Sequence, residues 1–320
     1  MNIGIGEIHT VLPDRLVPVG ALPEVELLGH DEAKFVADSG IRTVGVFDDT
    51  DNGGLATRAC RELLDRGAGA PDVLMMVGPR APDVLLGSDV CRVQAETGLA
   101  SAFAFTVDGL GCTGSSAAWA LARDLLLADP ARRSVLITHA SLPTGADRVR
   151  HPVTVIGDGA YAMTVVRGGR PVLKAHRMET DGAFHDLFTV DYKQAPWYEW
   201  REVCASPDRY LFELAMNSRL RLDRMVDEVL AEAGLDKGKV AATLMQNVTA
   251  SAYSFYATLL GLDIHPVCGG HLADYGHLGA MDVALNLQRL IDSGDVAGGD
   301  HVLVLNNSPV AAWAVTLWEI

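Results

Sequence analysis

Two stretches of the sequence, residues 111–141 and 275–308, decide the fold. They read GCTGSSAAWALARDLLLADPARRSVLITHAS and YGHLGAMDVALNLQRLIDSGDVAGGDHVLVLNNS. Each begins at a glycine turn, continues with the apolar spacing of a helix and ends in an apolar strand. The pattern predicts one α/β unit used twice, with Cys112 at the start of one helix and His277 at the matching start of the other. A pseudo-twofold arrangement would bring the thiol and the imidazole together, and such a pair can carry out covalent acyl transfer.

Further segments match in the same order along the chain. DVLMMVG at 72–78 resembles VAATLMQN at 240–247, and AYAMTVVRGG at 160–169 resembles AAWAVTLWEI at 311–320. Helical patterns alternate with these apolar strands, which indicates a layered α/β fold. Several matches at a nearly constant offset favour a duplicated architecture over chance similarity.

The turn Gly-Gly-Arg-Pro at 168–171 divides the chain. We therefore predict an N-terminal half, 1–170, that carries the cysteine nucleophile, and a C-terminal half, 171–320, that carries the histidine. The spacing predicts a helix over 113–129 in the first half and a long amphipathic helix over roughly 208–234 in the second.

Composition excludes several classes of function. The 320 residues are 49% apolar and 21% charged, which suits a large buried core, and the net charge of −15 disfavours binding to nucleic acid or to acidic membranes. Five cysteines without a CxxC pair predict reduced thiols in a cytoplasmic protein. We expect neither a secretory signal in MNIGIGEIHTVLPDRL nor a membrane span, and the sequence contains no P-loop, dinucleotide fingerprint or metal-ligand spacing.

Cys112 is the predicted nucleophile. It follows an apolar strand and a glycine turn and stands where the positive end of a helix dipole stabilises a thiolate. The alternative is a small buried hydrophobic residue, which is the usual role of a free cysteine. We assign that role to the other four cysteines, since none has the same setting: Cys60, Cys91, Cys204 and Cys268.

His277 is the predicted base, because a neutral imidazole can take a proton from the thiol or from an incoming nucleophile. His265 and His271 lie close by in the sequence and remain rivals. Three other histidines read as ordinary loop or strand-end residues: His139, His151 and His185.

Three further sequence features are one acidic residue and two short clusters of arginines. Asp158 lies between two glycines and reads as a structural turn residue. Arg148 and Arg150 form one basic pair, and the RLRLDR stretch at 219–224 contains another basic cluster, including Arg219 and Arg221. Either cluster could be a solvated surface or a dock for an acidic or phosphate-bearing acyl carrier.

The whole chain resembles thiolase-fold enzymes, and within them the type III β-ketoacyl-acyl-carrier-protein synthases. The resemblance is carried by SGIR at 39–42, the Cys112 turn, IGDGA at 156–160 and YGH at 275–277 with Ala280 after it. It implies a five-layered αβαβα sandwich of two similar halves, normally a homodimer. It also implies that Cys112 accepts an acyl group from a phosphopantetheine thioester of an acyl carrier protein or coenzyme A, with no tightly bound cofactor.

The sequence departs from the family in its catalytic positions. Gln246, followed by Asn247, stands where the family has its histidine, and His277 stands where the family has its asparagine. The pair that assists loss of carbon dioxide from a malonyl thioester is therefore missing, and glutamine cannot act as a base. We expect Gln246 and Asn247 to orient the acyl carbonyl or His277.

Two departures concern binding. The C-terminal loop at 306–309 reads NNSP, and because proline lacks an N–H, Ser308, Val310 or the Asn307 amide would have to supply the second oxyanion donor. The tryptophan and arginine that clamp coenzyme A in the family are replaced by Lys34 and Asp38, which favours a carrier protein. The resemblance places Arg150 near the phosphopantetheine entrance.

These observations lead to one main hypothesis and two alternatives. The main hypothesis is an acyltransferase that moves an acyl group through Cys112 to a hydroxyl, amine or thiol acceptor in specialised, antibiotic-like biosynthesis. The alternatives are a ketosynthase that condenses carbon–carbon bonds with a Cys-His dyad, and a non-catalytic partner subunit. The aromatic segment at 197–200 either lines the acyl pocket or packs beneath a loop.

Overall fold

One mixed sheet of nine strands runs through both halves of the chain. This is a computed structural model, and it describes residues 2–84, 86–143, 148–190, 193–194, 196, 199–200 and 202–320. The strands are β1 (Ile3–Val11), β2 (Leu16–Pro18), β3 (Thr43–Gly45), β4 (Val73–Val77), β5 (Phe103–Val107), β6 (Ser134–Ser141), β7 (Val149–Arg150), β8 (Thr154–Val155), β9 (Gly159–Arg167), β10 (Val172–Thr180), β11 (Phe188–Val190), β12 (Glu202–Cys204), β13 (Val240–Met245), β14 (His301–Ser308) and β15 (Ala312–Glu319). The order of strands across the nine-stranded sheet is β13-β14-β15-β10-β1-β9-β6-β4-β5.

Eight α-helices accompany the strands in the described part of the chain. They are α1 (His30–Asp38), α2 (Asn52–Asp65), α3 (Asp89–Glu96), α4 (Gly114–Ala128), α5 (Ala215–Glu232), α6 (Ala250–Leu260), α7 (Pro266–Tyr275) and α8 (Asp282–Ser293). The long helix predicted over 208–234 begins differently, because Arg209–Leu214 form a π-helical segment before the α-helical hydrogen bonding starts. Within the described residues, no helix combines the length and apolar character needed to cross a bilayer.

The strand pairing repeats between the halves. In the first half β4 and β6 are parallel, while β6–β9 and β9–β1 are antiparallel. In the second half β13 and β14 are parallel, while β14–β15 and β15–β10 are antiparallel. The two units join where β1 meets β10, and the turn between β9 and β10 contains the predicted boundary at 170–171.

The helices form layers around this sheet. α2 packs on β1, β6 and β9, and α5 packs on β10 and β15. α4 and α8 lie between the halves, since α4 contacts strands of both and α8 contacts β1 and β13. A single described residue pair, Gly4 and Val172, links β1 to β10, so the nine strands form two β-layers with α4 and α8 between them. The result is the expected αβαβα order of five layers, in which the buried apolar faces stabilise the fold.

Two tryptophans, one from each half, pack against each other at the central layer of helices. Trp119 of α4 and Trp318 of β15 are fully buried, with ring centroids 5.4 Å apart in an edge-to-face arrangement. Because one ring comes from each half of the chain, this contact holds α4 against the second half. The start of α4 is thereby fixed next to the loops of that half.

Candidate active site

Cys112 lies in a tight turn that brings the two halves into contact. It belongs to the 3₁₀ turn Gly111–Thr113, which runs directly into α4 and leaves the side chain 9% exposed. Gly111 has φ +52°, and a Cβ at this position would collide with the hydroxyl of Ser308. Only glycine allows both the left-handed backbone and this close approach, so the turn holds the sulfur at the interface of the halves.

His277 reaches the same point from the second half. Its backbone N–H donates to the carbonyl of Val155 at 2.9 Å, and its carbonyl accepts from Gly157 at 3.0 Å. The predicted IGDGA segment therefore fixes the backbone of the histidine. The imidazole Nε2 lies 3.1 Å from the Cys112 sulfur, so the structure brings the two predicted residues into hydrogen-bond contact.

The repeat differs in detail from its sequence-based alignment. A second 3₁₀ turn, Gly279–Met281, precedes α8 as Gly111–Thr113 precedes α4, and Gly279 also has positive φ at +62°. The position that matches Cys112 is therefore Ala280, and our prediction that His277 matches it was wrong. His277 lies before the turn and reaches the sulfur because α7 ends there.

Asp282 completes the group, and sequence reasoning missed it. Its Oδ2 lies 2.6 Å from His277 Nδ1, and its two carboxylate oxygens accept backbone N–H groups of Leu278 at 2.8 Å and Asn247 at 2.9 Å. Asp282 is the first residue of α8, where the helix dipole also stabilises a carboxylate. An acidic residue in the first helical turn after a candidate histidine was the signal that could have revealed it.

The three side chains polarise one another. Burial opposes ionisation of Cys112, but the imidazolium of His277, with help from Arg150, lowers the pKa of the thiol below its ordinary value. Burial likewise opposes protonation of His277, yet the Cys112 thiolate and the Asp282 carboxylate raise the pKa of the imidazole well above its ordinary value. The pair therefore favours thiolate and imidazolium, which is the reactive form of a cysteine nucleophile.

Gln246 and Asn247 occupy different positions. Gln246 lines the cavity next to Cys112, but its side chain is held by Asn307, whose carbonyl accepts at 3.0 Å and whose N–H donates at 3.3 Å. The side-chain oxygen of Asn247 accepts from Tyr253 and Asn286 inside the core. Asn247 therefore acts through its backbone N–H to Asp282, the carboxylate that holds His277, and its side chain does not face the cavity.

The carboxyl end of β14 faces Cys112, and residues 306–308, which were predicted to lie in a loop, belong to a strand. Ser308 is 2% exposed, and its side chain adjoins Gly111. Asn306 was not predicted, and its amide donates at 3.0 Å to the carbonyl of Cys112 itself. Asn306 thus fixes the peptide after the nucleophile, while Ser308 lies beside the space in which a substrate carbonyl would sit.

Two cavities meet at the reactive pair, and Cys112, His277 and Ser308 line both. The first cavity, of about 530 Å³, lies against α5 and α6 and has Leu211 and Phe255 among its lining residues. The second cavity, of about 280 Å³, lies against β11 and β12. A group bound to the sulfur can therefore extend in two directions.

The arginines take unexpected positions. Arg150 lines the second cavity, where Nε donates to Glu202 at 2.6 Å, and Arg80 donates to the other oxygen of the same carboxylate. Arg150 thus lies beside Cys112, not on an exposed surface where a carrier would dock.

Arg148 pairs through two nitrogens with the buried Asp158. That aspartate therefore forms a buried ion pair and is not a simple turn residue.

The basic stretch on α5 is only partly exposed. Arg221 donates at 2.7 Å to both Glu179 and Asp181, and its guanidinium stacks 4.7 Å from the Trp313 ring. These contacts tie α5 to the sheet, so Arg221 is not free for a carrier, whereas Arg219 is a half-buried residue of the same helix.

The rival residues have other partners. His271 lies 2.6 Å from Asn286, and His265 accepts the Val267 N–H at the start of α7.

Burial raises the pKa values of the Cys60 and Cys268 thiols to about 12, which leaves them unreactive. His139 lies near the end of β6, in agreement with a strand-end position, and it is buried and lines the second cavity. Trp197 and Tyr198 lie outside the described residues.

Comparisons with known proteins agree with this fold, although no family model matches the chain. The β-ketoacyl-[acyl-carrier-protein] synthase III of Jannaschia sp. (strain CCS1) is 27% identical over 315 residues, which cover 94% of this chain and 93% of the relative. The solved structure of the synthase III FabH from Pseudomonas aeruginosa PAO1 has a TM-score of 0.82 at 19% identity, covering 100% of this chain and 98% of the other. That of ChlB3, described as an acyltransferase, has a TM-score of 0.82 at 22% identity and the same coverage.

The predicted fold class is therefore confirmed. The chain has the α/β thiolase fold and resembles the type III β-ketoacyl-acyl-carrier-protein synthases over nearly its whole length.

Proposed function

We propose that the protein is an acyltransferase that moves an acyl group from a carrier-protein or coenzyme A thioester, through an acyl-Cys112 intermediate, to a hydroxyl, amine or thiol acceptor. The observation that carries the proposal is the contiguous set Cys112, His277 and Asp282, joined by contacts of 3.1 and 2.6 Å. A thiolate, a base and a carboxylate that fixes the base are the parts required for acyl transfer by covalent catalysis.

The first half-reaction loads the sulfur. The Cys112 thiolate attacks the thioester carbonyl, and a carbon–sulfur bond forms as negative charge moves to the carbonyl oxygen. The backbone N–H of Cys112 and the hydroxyl of Ser308 are the donors we propose for that oxygen. When the tetrahedral intermediate collapses, the donor carbon–sulfur bond breaks, and the leaving thiolate takes the proton from the His277 imidazolium.

The second half-reaction transfers the acyl group from the Cys112 sulfur to the acceptor. His277, now neutral, accepts the proton of the incoming hydroxyl, amine or thiol as that group attacks the acyl carbon. The bond to Cys112 breaks, and the thiolate and imidazolium are restored. Asp282 keeps its hydrogen bond to Nδ1 throughout, so the ring remains oriented with Nε2 toward the sulfur.

The two cavities suit two substrates. The first cavity has exposed Leu211 and Phe255 at its edge, and we assign to it the pantetheine arm and then the acceptor. The second and smaller cavity receives the acyl chain. The names of the relatives support an acyl carrier protein as the donor, and the name of ChlB3 supports transfer in place of condensation.

Decarboxylative condensation is the second candidate. Its support is the resemblance to synthases named for that reaction. Against it, Gln246 is tied to Asn307, and the histidine is already engaged by Asp282 and Cys112. A non-catalytic subunit is disfavoured by the low thiol pKa of Cys112, which a purely structural cysteine does not need.

Carbon dioxide release decides between the two reactions. The protein is incubated with a malonyl thioester of an acyl carrier protein, with and without hydroxyl, amine and thiol acceptors. Acyl transfer predicts an acyl-protein mass that disappears when an acceptor is added, without release of carbon dioxide. Carbon dioxide released at the rate of acyl turnover would establish condensation and reject our proposal.

We also propose a homodimer. β5 is the last strand of the sheet, and its Phe103 is 65% exposed, which leaves an unpaired apolar edge that a second copy could cover. Light scattering of the protein and of Phe103→Lys tests this, since a monomeric wild-type protein would contradict it.

A further inference from the structure

Two guanidinium groups lie in the second cavity together with the reactive sulfur. Arg80, Arg150, Glu202 and Cys112 all line this cavity of about 280 Å³. Glu202 lies between the arginines: one of its oxygens accepts from Arg150 Nε at 2.6 Å and the other from Arg80. The side chains of Arg150 and Glu202 are 12% and 10% exposed and therefore largely shielded from water, whereas that of Arg80 is 30% exposed.

The charges in this group do not balance. Among the described residues, the other carboxylate lining the cavity is Asp108, which is exposed and whose oxygen accepts from Gly109 N–H at 2.7 Å. Water and salt screen a charge in that position. Of the described lining residues, Glu202 is thus the one shielded carboxylate facing two guanidinium groups, that of the largely buried Arg150 and that of Arg80, whose side chain is 30% exposed. Burial and the neighbouring Arg150 lower the pKa of Arg80, which is the response expected of a cation in an excess of positive charge.

The free protein supplies a second anion, which is the Cys112 thiolate. Its charge raises the pKa of both arginines, and Arg150 in turn lowers the pKa of Cys112. Acylation does not change the net charge, because the thiolate becomes a neutral thioester while the leaving thiolate takes the proton of the His277 imidazolium. The two arginines therefore face the same shielded carboxylate, Glu202, before and after acylation.

We propose that the second cavity binds an acyl chain that ends in a carboxylate, held by Arg80 and Arg150. The proposal rests on the acyl transfer proposed above and specifies its substrate class. Each guanidinium has five N–H donors in a planar fork that matches a carboxylate, and Glu202 takes one nitrogen of Arg80. The substrate carboxylate pairs with guanidinium N–H donors that Glu202 leaves free, and it takes no part in bond making. The small cavity limits the chain to a short one.

Charged thiol reagents test the cavity without requiring acyl transfer. The Cys112 thiolate attacks the sulfenyl sulfur of a methanethiosulfonate, a mixed disulfide forms and methanesulfinate leaves. At each cysteine we measure the rate of modification by the anionic sulfonatoethyl reagent and divide it by the rate for the neutral hydroxyethyl reagent. The anion-to-neutral ratio at Cys112 is then divided by the same ratio at the exposed Cys91, which gives a normalised ratio. A preference of about tenfold or more for the anion is expected from a positive cavity. A normalised ratio of one would overturn the proposal.

Two variants test whether Arg80 and Arg150 cause the preference for the anionic reagent. Arg80→Met and Arg150→Met remove one positive charge each and are expected to bring the normalised ratio close to one. Both also change the reactivity of Cys112, but that change affects the two reagents equally and cancels. Arg177→Met is the matched control, because Arg177 is exposed and paired with Glu232 at 2.7 Å. A ratio unaffected by either cavity variant contradicts the proposal, and the wild-type ratio remains decisive if a variant does not fold.

Acyl substrates then separate this inference from the function. The glutaryl and glutaramoyl thioesters of N-acetylcysteamine differ only by a terminal carboxylate or carboxamide. Acylation of Cys112 about tenfold faster by glutaryl supports the proposal, whereas equal rates contradict it. If neither thioester acylates Cys112, the proposed acyl transfer fails, while the thiosulfonate ratio still decides the charge preference of the cavity.

Discussion

His277 Nδ1 lies 2.6 Å from Asp282 Oδ2, and the same carboxylate accepts two backbone N–H groups. A carboxylate fixed in this way holds the Nδ1–H tautomer and leaves Nε2 directed at Cys112, 3.1 Å away. The aspartate also stabilises the imidazolium on which the thiolate depends. The reactivity of Cys112 is thus controlled by a residue that does not touch it.

Asp282→Asn is expected to slow acylation of Cys112 about 100-fold, because the amide is neutral and no longer stabilises the imidazolium. The pKa of the Cys112 thiol should rise in the same variant, and alkylation rates measured against pH report that change. An unchanged thiol pKa would show that Asp282 is not coupled to the cysteine.

Asp158→Asn is the matched comparison, since Asp158 is also a fully buried aspartate. It loses its ion pair with Arg148, so the variant should lower the free energy of unfolding by about 3–5 kcal/mol. The pKa of Cys112 should not change. Thermal unfolding and thiol titration together separate a structural aspartate from a positioning one.

The pH dependence of alkylation tests the ion pair itself. Because His277 lowers the pKa of Cys112, the wild-type thiol should react with iodoacetamide below the ordinary thiol pKa and lose reactivity only as pH falls through the lowered value. In His277→Ala burial remains without the cation, so the same transition should move to higher pH. Superimposable curves for the two proteins would refute the pairing.

Gly111→Ala is expected to reduce acylation at least about tenfold, because the new Cβ collides with the Ser308 hydroxyl and displaces the Cys112 turn. Gly98→Ala serves as the control. Gly98 has φ +72°, but a Cβ there meets open space, so this variant carries the same kind of backbone strain without the collision. Equal acylation rates in the two variants would contradict the role given to Gly111.

Trp119→Ala should cost about 3–5 kcal/mol of unfolding free energy, since it removes a fully buried ring that contacts Trp318. Leu121→Ala on the same helix should change the free energy by less than about 0.5 kcal/mol, because Leu121 is 41% exposed. Denaturant unfolding of both variants measures the difference.

The sequence predicted the features that follow from local pattern. Glycine turns, helical spacing and apolar strands predicted two similar halves, and Cys112 and His277 are in contact, although Ala280 and not His277 matches Cys112 in the repeat. The register was wrong by a few residues, because α7 ends just before His277 and the 3₁₀ turn that matches Gly111–Thr113 begins only at Gly279. Sequence spacing does not show where a helix ends when both candidate turns contain glycine.

Local sequence patterns do not predict contacts between segments that lie far apart in the sequence. Glu202 meets Arg80 and Arg150 across 122 and 52 positions of sequence, so no local pattern relates them. Asn247 was predicted to orient the acyl carbonyl or His277, but sequence does not show that its side chain bonds to Tyr253 in the core while its backbone N–H reaches Asp282. Asp282 was overlooked for a different reason, since an acidic residue in the first turn of a helix usually only favours the helix dipole.

In the function we propose, Cys112 is an acyl-accepting thiolate activated by His277. Intact-protein mass spectrometry after brief exposure to acyl-carrier-protein thioesters tests this role. We expect one acyl adduct on the wild-type protein, mapped to Cys112, absent in Cys112→Ala and formed at least about 100-fold more slowly in His277→Ala. Equal acylation of wild-type protein and Cys112→Ala, or an adduct that maps to another residue, would contradict it.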